Sequence, residues 1–148
     1  MATTASFHAT GEDLAAQIET IASGAGSGSG TYDVSISSDQ VLPVTAGLKN
    51  AGYEMLIAVT GVDYVGYFEM VYHLLSLSQN RRAVVKVRCG EGRVDPVVPS
   101  VVPIWRGAEL QEREVYDLMG IRFDGHDGMK RIFLWEGFEG HPQRKDFL

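Results

Sequence analysis

Two hydrophobic periods run along this chain, and they mark its elements. Leu14, Ile18 and Ile21 fall at spacings of four and three, which predicts an amphipathic helix. Thr10 stands where an N-cap belongs, and Glu12 and Asp13 suit the positive first turn. Tyr32, Val34 and Ile36 alternate with polar residues and predict a strand over Thr31–Ser37. A second helix follows. Ser38 or Asp39 can cap it, Pro43 is tolerated near its start, Val44, Leu48 and Ala51 share a face, and Gly52 supplies the stop.

The period then returns to two. Met55–Thr60 is almost wholly apolar, as a central strand is. Phe68, Met70, Tyr72 and Leu74 line one face of Tyr67–Leu77, and Gln79-Asn80 turns the chain into Arg81–Cys89. These three segments predict an antiparallel meander. His73 falls on the opposite face beside Val71 and Leu75; with no second ligand nearby in sequence, it is expected to be a hydrogen-bonded sheet histidine. Ser23–Gly30 has the composition of a flexible linker, since no strand precedes it and no Gly-Lys-Ser/Thr closes it as a phosphate loop. Gly90–Pro103 holds three prolines and two glycines and predicts an irregular connection. A third helix runs from Trp105 or Gly107 to Met119, with Gly120 at its C′ position. The fold class is therefore α+β: a mostly antiparallel sheet of about four strands with helices packed on it. Residues 1–30 form an N-terminal tail, helix and linker, 31–120 the core, and 121–148 an extended C-terminal tail, all in one domain.

Composition narrows the function. The 148 residues are 45% hydrophobic and 22% charged, ordinary values for a globular domain. A net charge of −6, with adjacent cations only in the short pairs Arg81-Arg82, Lys130-Arg131 and Arg144-Lys145, argues against a nucleic-acid surface. The lone Cys89 cannot close an internal disulfide or hold an iron–sulfur cluster, and its alternating strand predicts a buried thiol. Met1–Thr10 lacks the basic start and apolar core of a signal peptide, and no apolar run approaches the ~20 residues of a membrane span. A cytoplasmic chain that reaches a membrane only by docking is the expectation.

The third helix concentrates the charge. Glu109, Glu112, Glu114 and Asp117 lie within nine residues, with Arg113 alone among them. At about 100° per residue, Ala108, Val115 and Met119 make a core-facing stripe. Glu112 falls inside it, where a carboxylate must be paired or hydrogen-bonded. Leu110, Arg113, Glu114 and Asp117 occupy the opposite side. Pairs Glu109–Arg113 and Arg113–Asp117 have i,i+4 spacing, but one arginine cannot neutralise four carboxylates. The tail is expected to fold back with cations from among Arg122, Lys130, Arg131, Arg144 and Lys145, while a partner chain supplies the rest. Replacing Glu114 or Asp117 by Ala should then weaken assembly without unfolding the domain, whereas Glu112→Ala should perturb the domain itself. A solvated acidic face is the plain alternative. A free-standing carboxylate enzyme of glycosidase type is another, but no sugar-binding aromatic cluster accompanies the acids. His126 and His141, with Asp124, Asp127, Glu136 and Glu139, lack the short ligand spacing of a zinc site.

Glu112-Arg-Glu-Val-Tyr-Asp-Leu-Met-Gly-Ile121, Gly125-His126, Lys130-Arg-Ile132 and Gly140-His-Pro-Gln-Arg-Lys-Asp-Phe147 occur in order. Upstream stand Thr60-Gly-Val-Asp-Tyr64, Val71-Tyr-His-Leu-Leu-Ser-Leu77 and Asp95-Pro-Val-Val-Pro-Ser-Val101. Over residues 31–148 this set resembles the 30-kDa subunit family of respiratory complex I, the NADH–quinone oxidoreductase, which extends to membrane-bound energy-converting [NiFe] hydrogenases. The resemblance implies a cofactor-free, non-catalytic structural subunit of the hydrophilic arm at the cytoplasmic membrane face. It implies docking on the large quinone-site or hydrogenase-type subunit and on iron–sulfur subunits that hold the clusters. Glu112, Arg113, Glu114, Asp117, Lys130 and Arg131 would organise the junction of helix, tail and partner, and Arg144, Lys145 and Asp146 would anchor the tail. Leu110, Asp127, Gly128, Phe138 and Gln143 depart from the usual pattern, which points toward the hydrogenase branch.

Overall fold

The computed structural model describes residues 7–64, 66–90, 95–131 and 140–144. Helix α1 spans Gly11–Ile21, and its Thr10 cap accepts the Asp13 N–H at 3.1 Å, as the local sequence predicts. Leu14 and Ile18 are its buried contacts. Helix α2 spans Val41–Asn50 and buries Val41, Val44 and Leu48. Ser38 and Asp39 do not cap it; they belong to a 3-10 turn, Ser38–Gln40, that runs straight into the helix.

The sheet has five strands in the order β1-β2-β5-β4-β3, where β1 is Gly26–Ser29, β2 Val34–Ile36, β3 Met55–Tyr64, β4 Tyr67–Ser76 and β5 Arg81–Cys89. The meander β3-β4-β5 is antiparallel, with Thr60 opposite Val71 and Val71 opposite Lys86. A bulge interrupts β3 between Leu56 and Ala58. Strand β2 lies parallel to β5, so the sheet is mixed although largely antiparallel. Strand β1 corrects the linker expectation: Gly26–Ser29 pairs antiparallel with β2 as an edge strand. Its Gly-Ser composition conceals it, because no side-chain alternation reports a strand held by its backbone bonds.

The third helix, α3, spans Ala108–Met119 and ends on Gly120 in the left-handed region, φ 75°. It packs across the sheet at Gly61, where an added Cβ would lie 2.8 Å from the Met119 sulfur and 3.2 Å from Val115. Two short strands flank α3. Strand β6, Val97–Pro99, falls in the proline-rich connection and pairs parallel with β7, Arg122–Asp124, at the start of the tail. A parallel pair needs a crossover, and α3 is that crossover. One core joins the helices to the inner row Phe68, Met70, Tyr72 and Leu74 of β4. His73 faces away from this core, and among the described residues no hydrogen bond reaches its ring. No described helix is long and apolar enough to cross a membrane.

Candidate functional site: an acidic helix clasped by its own tail

The β6–α3–β7 unit sets the position of Glu112. Its side chain is fully buried, with Oε1 accepting from the Ser100 hydroxyl at 2.6 Å and Oε2 from the Val101 N–H at 2.9 Å. Glu112 thus ties the end of β6 to α3 and satisfies both of its oxygens without a cation. Burial raises its carboxyl pKa above the ordinary carboxylate value, while the Ser100 and Val101 hydrogen bonds and nearby His126 pull the other way. The adjacent Tyr72 phenol is pushed well above its ordinary value by its own burial and then by the Glu112 charge.

Asp117 shows the tail folding back onto the helix, as the charge imbalance leads one to expect. It lies on the helix face opposite the core stripe, yet its side chain is fully buried. Its oxygen meets an Arg131 guanidinium nitrogen at 2.9 Å, and the Arg131 side chain is 13% exposed. The tail, not a partner, covers it. The expected Arg113–Asp117 pair gives way as well, for Arg113 turns to the tail backbone and donates to the carbonyls of Lys130 and Arg131 at 3.1 and 3.2 Å.

The end of the helix explains the clasp. A helix leaves its last four carbonyls without helical partners. Here Tyr116 O accepts from Gly120 N–H at 2.8 Å, within the helix stop itself. Asp117 O accepts from Arg131 and from His141 Nδ1, at 3.1 and 3.0 Å. Leu118 O accepts from Gln143 N–H at 2.8 Å, and Met119 O from Arg144 Nε at 2.6 Å. Three of the four carbonyls are therefore closed by residues of the tail. Arg131 and Arg144 also bring positive charge to the negative end of the helix dipole. Arg144 further stacks over Phe68, 4.9 Å from the ring centroid. Gly120 leaves room for this: a Cβ there would fall 2.6 Å from His141 and 2.9 Å from Arg144.

Of the sequence-predicted residues, Glu112, Arg113, Asp117, Arg131 and Arg144 come together in this clasp. Lys130 contributes its carbonyl. Glu114 is exposed beside Leu110, which is 54% exposed. Lys145 and Asp146 lie outside the described residues. The sequence reading passes over Ser100 and weighs His126 and His141 as zinc ligands rather than as partners of the helix. Ser100 carried no local signal, because its role depends on a parallel pairing across α3. His126 accepts from Gly128 N–H on Nδ1 and so donates through Nε2 to Glu109 O at 3.1 Å. It borders an open cleft of about 580 Å³ with Arg106, Glu109 and Asp127. Among the described residues, no three His, Cys, Asp or Glu side chains converge on a point where a metal ion would sit. Glu136 and Glu139 lie outside those residues. Chemically, the two buried carboxylates are closed off from water and engaged, which suits holding a helix and a tail together.

Fold and site together define a two-layer α+β domain with a β–α–β clasp and a tail stitched to its last helix. Sequence places it more narrowly. The chain belongs to the family of the 30 Kd subunit of respiratory-chain NADH dehydrogenase, whose model matches residues 34–148. It is 42% identical over 128 residues to a C-type subunit of NADH-quinone oxidoreductase from Rhizobium meliloti (strain 1021), covering 82% of this chain and 69% of that one. It is 44% identical over 115 residues to the C-type subunit of the same enzyme from Moorella thermoacetica, covering 76% of each. Against the C-type subunit from Brucella ovis it is 52% identical over 95 residues but spans 46% of that protein's length. Among solved structures, a chain of the membrane-bound sulfane sulfur reductase, an archaeal respiratory membrane complex, is similar with a TM-score of 0.79 at 28% identity, over 93% of this chain and 85% of that one. The trypsin-resistant fragment of Nqo5 is similar with a TM-score of 0.60 at 33% identity, over 65% and 80%. The relatives named by sequence are all NADH-quinone oxidoreductase subunits, which favours that branch over the hydrogenase branch.

Proposed function

We propose that this chain is a non-catalytic, cofactor-free structural subunit of the hydrophilic arm of a membrane electron-transfer complex of NADH–quinone oxidoreductase type. It docks on the large quinone-site subunit and on iron–sulfur subunits, at the cytoplasmic membrane face. The observation that carries this reading is the family match along residues 34–148. The similarity of nearly the whole chain to one chain of an archaeal respiratory membrane complex supports it. So does the site's chemistry: the buried acids hold the helix and tail, and the exposed Leu110, Glu109 and Glu114 remain on the outside of α3. In this reading Arg113, Lys130, Arg131 and Arg144 keep the tail in place, Lys145 and Asp146 extend that anchoring, and Glu114 contributes to the partner contact.

The test is affinity purification of the tagged chain from gently solubilised membranes of its host. The large subunit and the iron–sulfur subunits should co-purify with NADH–quinone oxidoreductase activity, and deleting the gene should abolish that activity. Glu114→Ala should lower recovery of the complex while leaving the melting temperature of the purified chain unchanged. A chain recovered alone from membranes, or one that by itself binds stoichiometric metal or turns over a substrate, refutes the proposal.

A further inference from the structure

The five-stranded sheet has two faces, and the core occupies one. On the other, β5 presents Arg82, Lys86 and Arg88 in alternation, and the neighbouring strands present Val71, Leu75 and Met55. Val71 is buried yet lies outside the core cluster. Met55 is 43% exposed. This chain carries a net charge of −6, and a cationic row in it stands out from the composition.

The local carboxylates offset part of the row. Lys86 meets Asp33 at 3.5 Å, with both side chains 30% exposed. Arg88 lies opposite Glu69 and rests over the Tyr67 ring, 4.2 Å from its centroid. Arg82 has a buried Nε with no acceptor among the described residues. His73, opposite Val84 in the middle of this face, senses the balance: its pKa is lowered first by burial and then by Arg82 and Lys86. Both charges that reach it are cations.

We infer that this sheet face is a docking surface for an acidic segment of another subunit, with its carboxylates on the Arg82–Lys86–Arg88 row and its apolar side chains on Val71, Leu75 and Met55. The charge pattern selects the occupant. A row of cations favours carboxylates, and the apolar strip beside the row favours a polypeptide over a small anion. The inference rests on the subunit reading above and adds a second contact on the opposite side of the domain from α3.

The test uses the full chain in its host. Arg82→Glu with Arg88→Glu should reduce the co-purified partner at least tenfold, with an unchanged melting temperature for the purified variant. A photo-crosslinker at Val84 should map to a partner stretch rich in Asp and Glu. If the double variant melts early, Lys86→Gln with Arg88→Gln replaces it and should still lower recovery, more so at low salt. Undiminished recovery of the complex with either folded variant overturns the inference while leaving the subunit reading intact. A wild-type chain that brings down no partner sinks the subunit reading itself. Crosslinks to a stretch without carboxylates, or to a second copy of this chain, also overturn the choice of occupant.

Discussion

Replacing Asp117 by Ala tests the clasp at its centre. The carboxylate is fully buried and meets Arg131 at 2.9 Å. Removing one partner of a buried pair typically costs about 3–5 kcal/mol, because the other charge is left without compensation. The structure gives an independent ceiling. Arg131 can escape to water if the tail detaches, so the cost cannot exceed what tail docking contributes. That docking includes hydrogen bonds from Arg131, His141, Gln143 and Arg144 to α3. At roughly 1 kcal/mol each, somewhat more for the charged donors, they sum to about 4–6 kcal/mol. The two routes agree, and the expected loss is about 4 kcal/mol, or roughly 10 °C in melting temperature. Urea unfolding of the purified chain followed by circular dichroism reads the loss. Tryptic cleavage after Arg131 or Arg144 reads detachment of the tail. Asp117→Ala and Arg131→Ala should be strongly non-additive in a double-mutant cycle. A loss below about 1 kcal/mol with additive singles is the behaviour of a surface pair, and it would refute the buried clasp.

Three further outcomes follow from the same geometry. Glu112 has a raised folded-state pKa, so its stabilising contribution is fully present below the ordinary carboxylate pKa and is lost as pH rises through the raised value. Glu112→Gln should therefore gain stability relative to the native chain as pH rises above the ordinary carboxylate pKa, as chemical denaturation at several pH values shows; a difference that does not change with pH contradicts the assignment. Gly120→Ala forces a side chain into a left-handed residue and against His141 and Arg144, and should cost about 1–2 kcal/mol and speed proteolysis of the tail. Thr10→Ala removes the α1 cap and should cost about 1 kcal/mol in thermal unfolding with no effect on tail proteolysis, which separates local capping from the clasp.

The parts of the fold legible in the sequence are those that local chemistry specifies. The β3-β4-β5 meander follows from side-chain alternation and the Gln79-Asn80 turn, and Asn80 adopts the positive φ of 50° that such a turn uses. Gly120 marks the end of α3, and the helical angle places Glu112 inward. The parts hidden in the sequence are held by partners far along the chain. Strand β6 exists because β7 pairs with it across α3, and Pro96 before it and Pro99 at its end obscure it. Strand β1 has no side-chain pattern to show. Asp117 illustrates the limit best: its angle is right, but an angle says which way a side chain points and nothing of what covers it.

That limit has a physical consequence for α3. A helix with four carboxylates and one arginine of its own is poorly matched to its dipole, which favours cations at the C-terminal end. The missing cations are the tail's, reaching Asp117 from 14 residues away and Met119 from 25. The helix and the tail therefore stabilise one another: without the tail, three carbonyls and a buried carboxylate lose their partners, and without α3 the arginines lose their acceptors. Such reciprocal dependence makes docking of Arg131 and of residues 140–144 one cooperative step, so a substitution at either place should loosen both together. Hydrogen exchange can check this directly, since the amides of Gly120 and Gln143, which donate to Tyr116 and Leu118, should be protected by the same free energy and should lose that protection together when Arg144 is replaced by Met. Loss at Gln143 alone, with Gly120 unchanged, would show instead that the tail frays independently of the helix it covers.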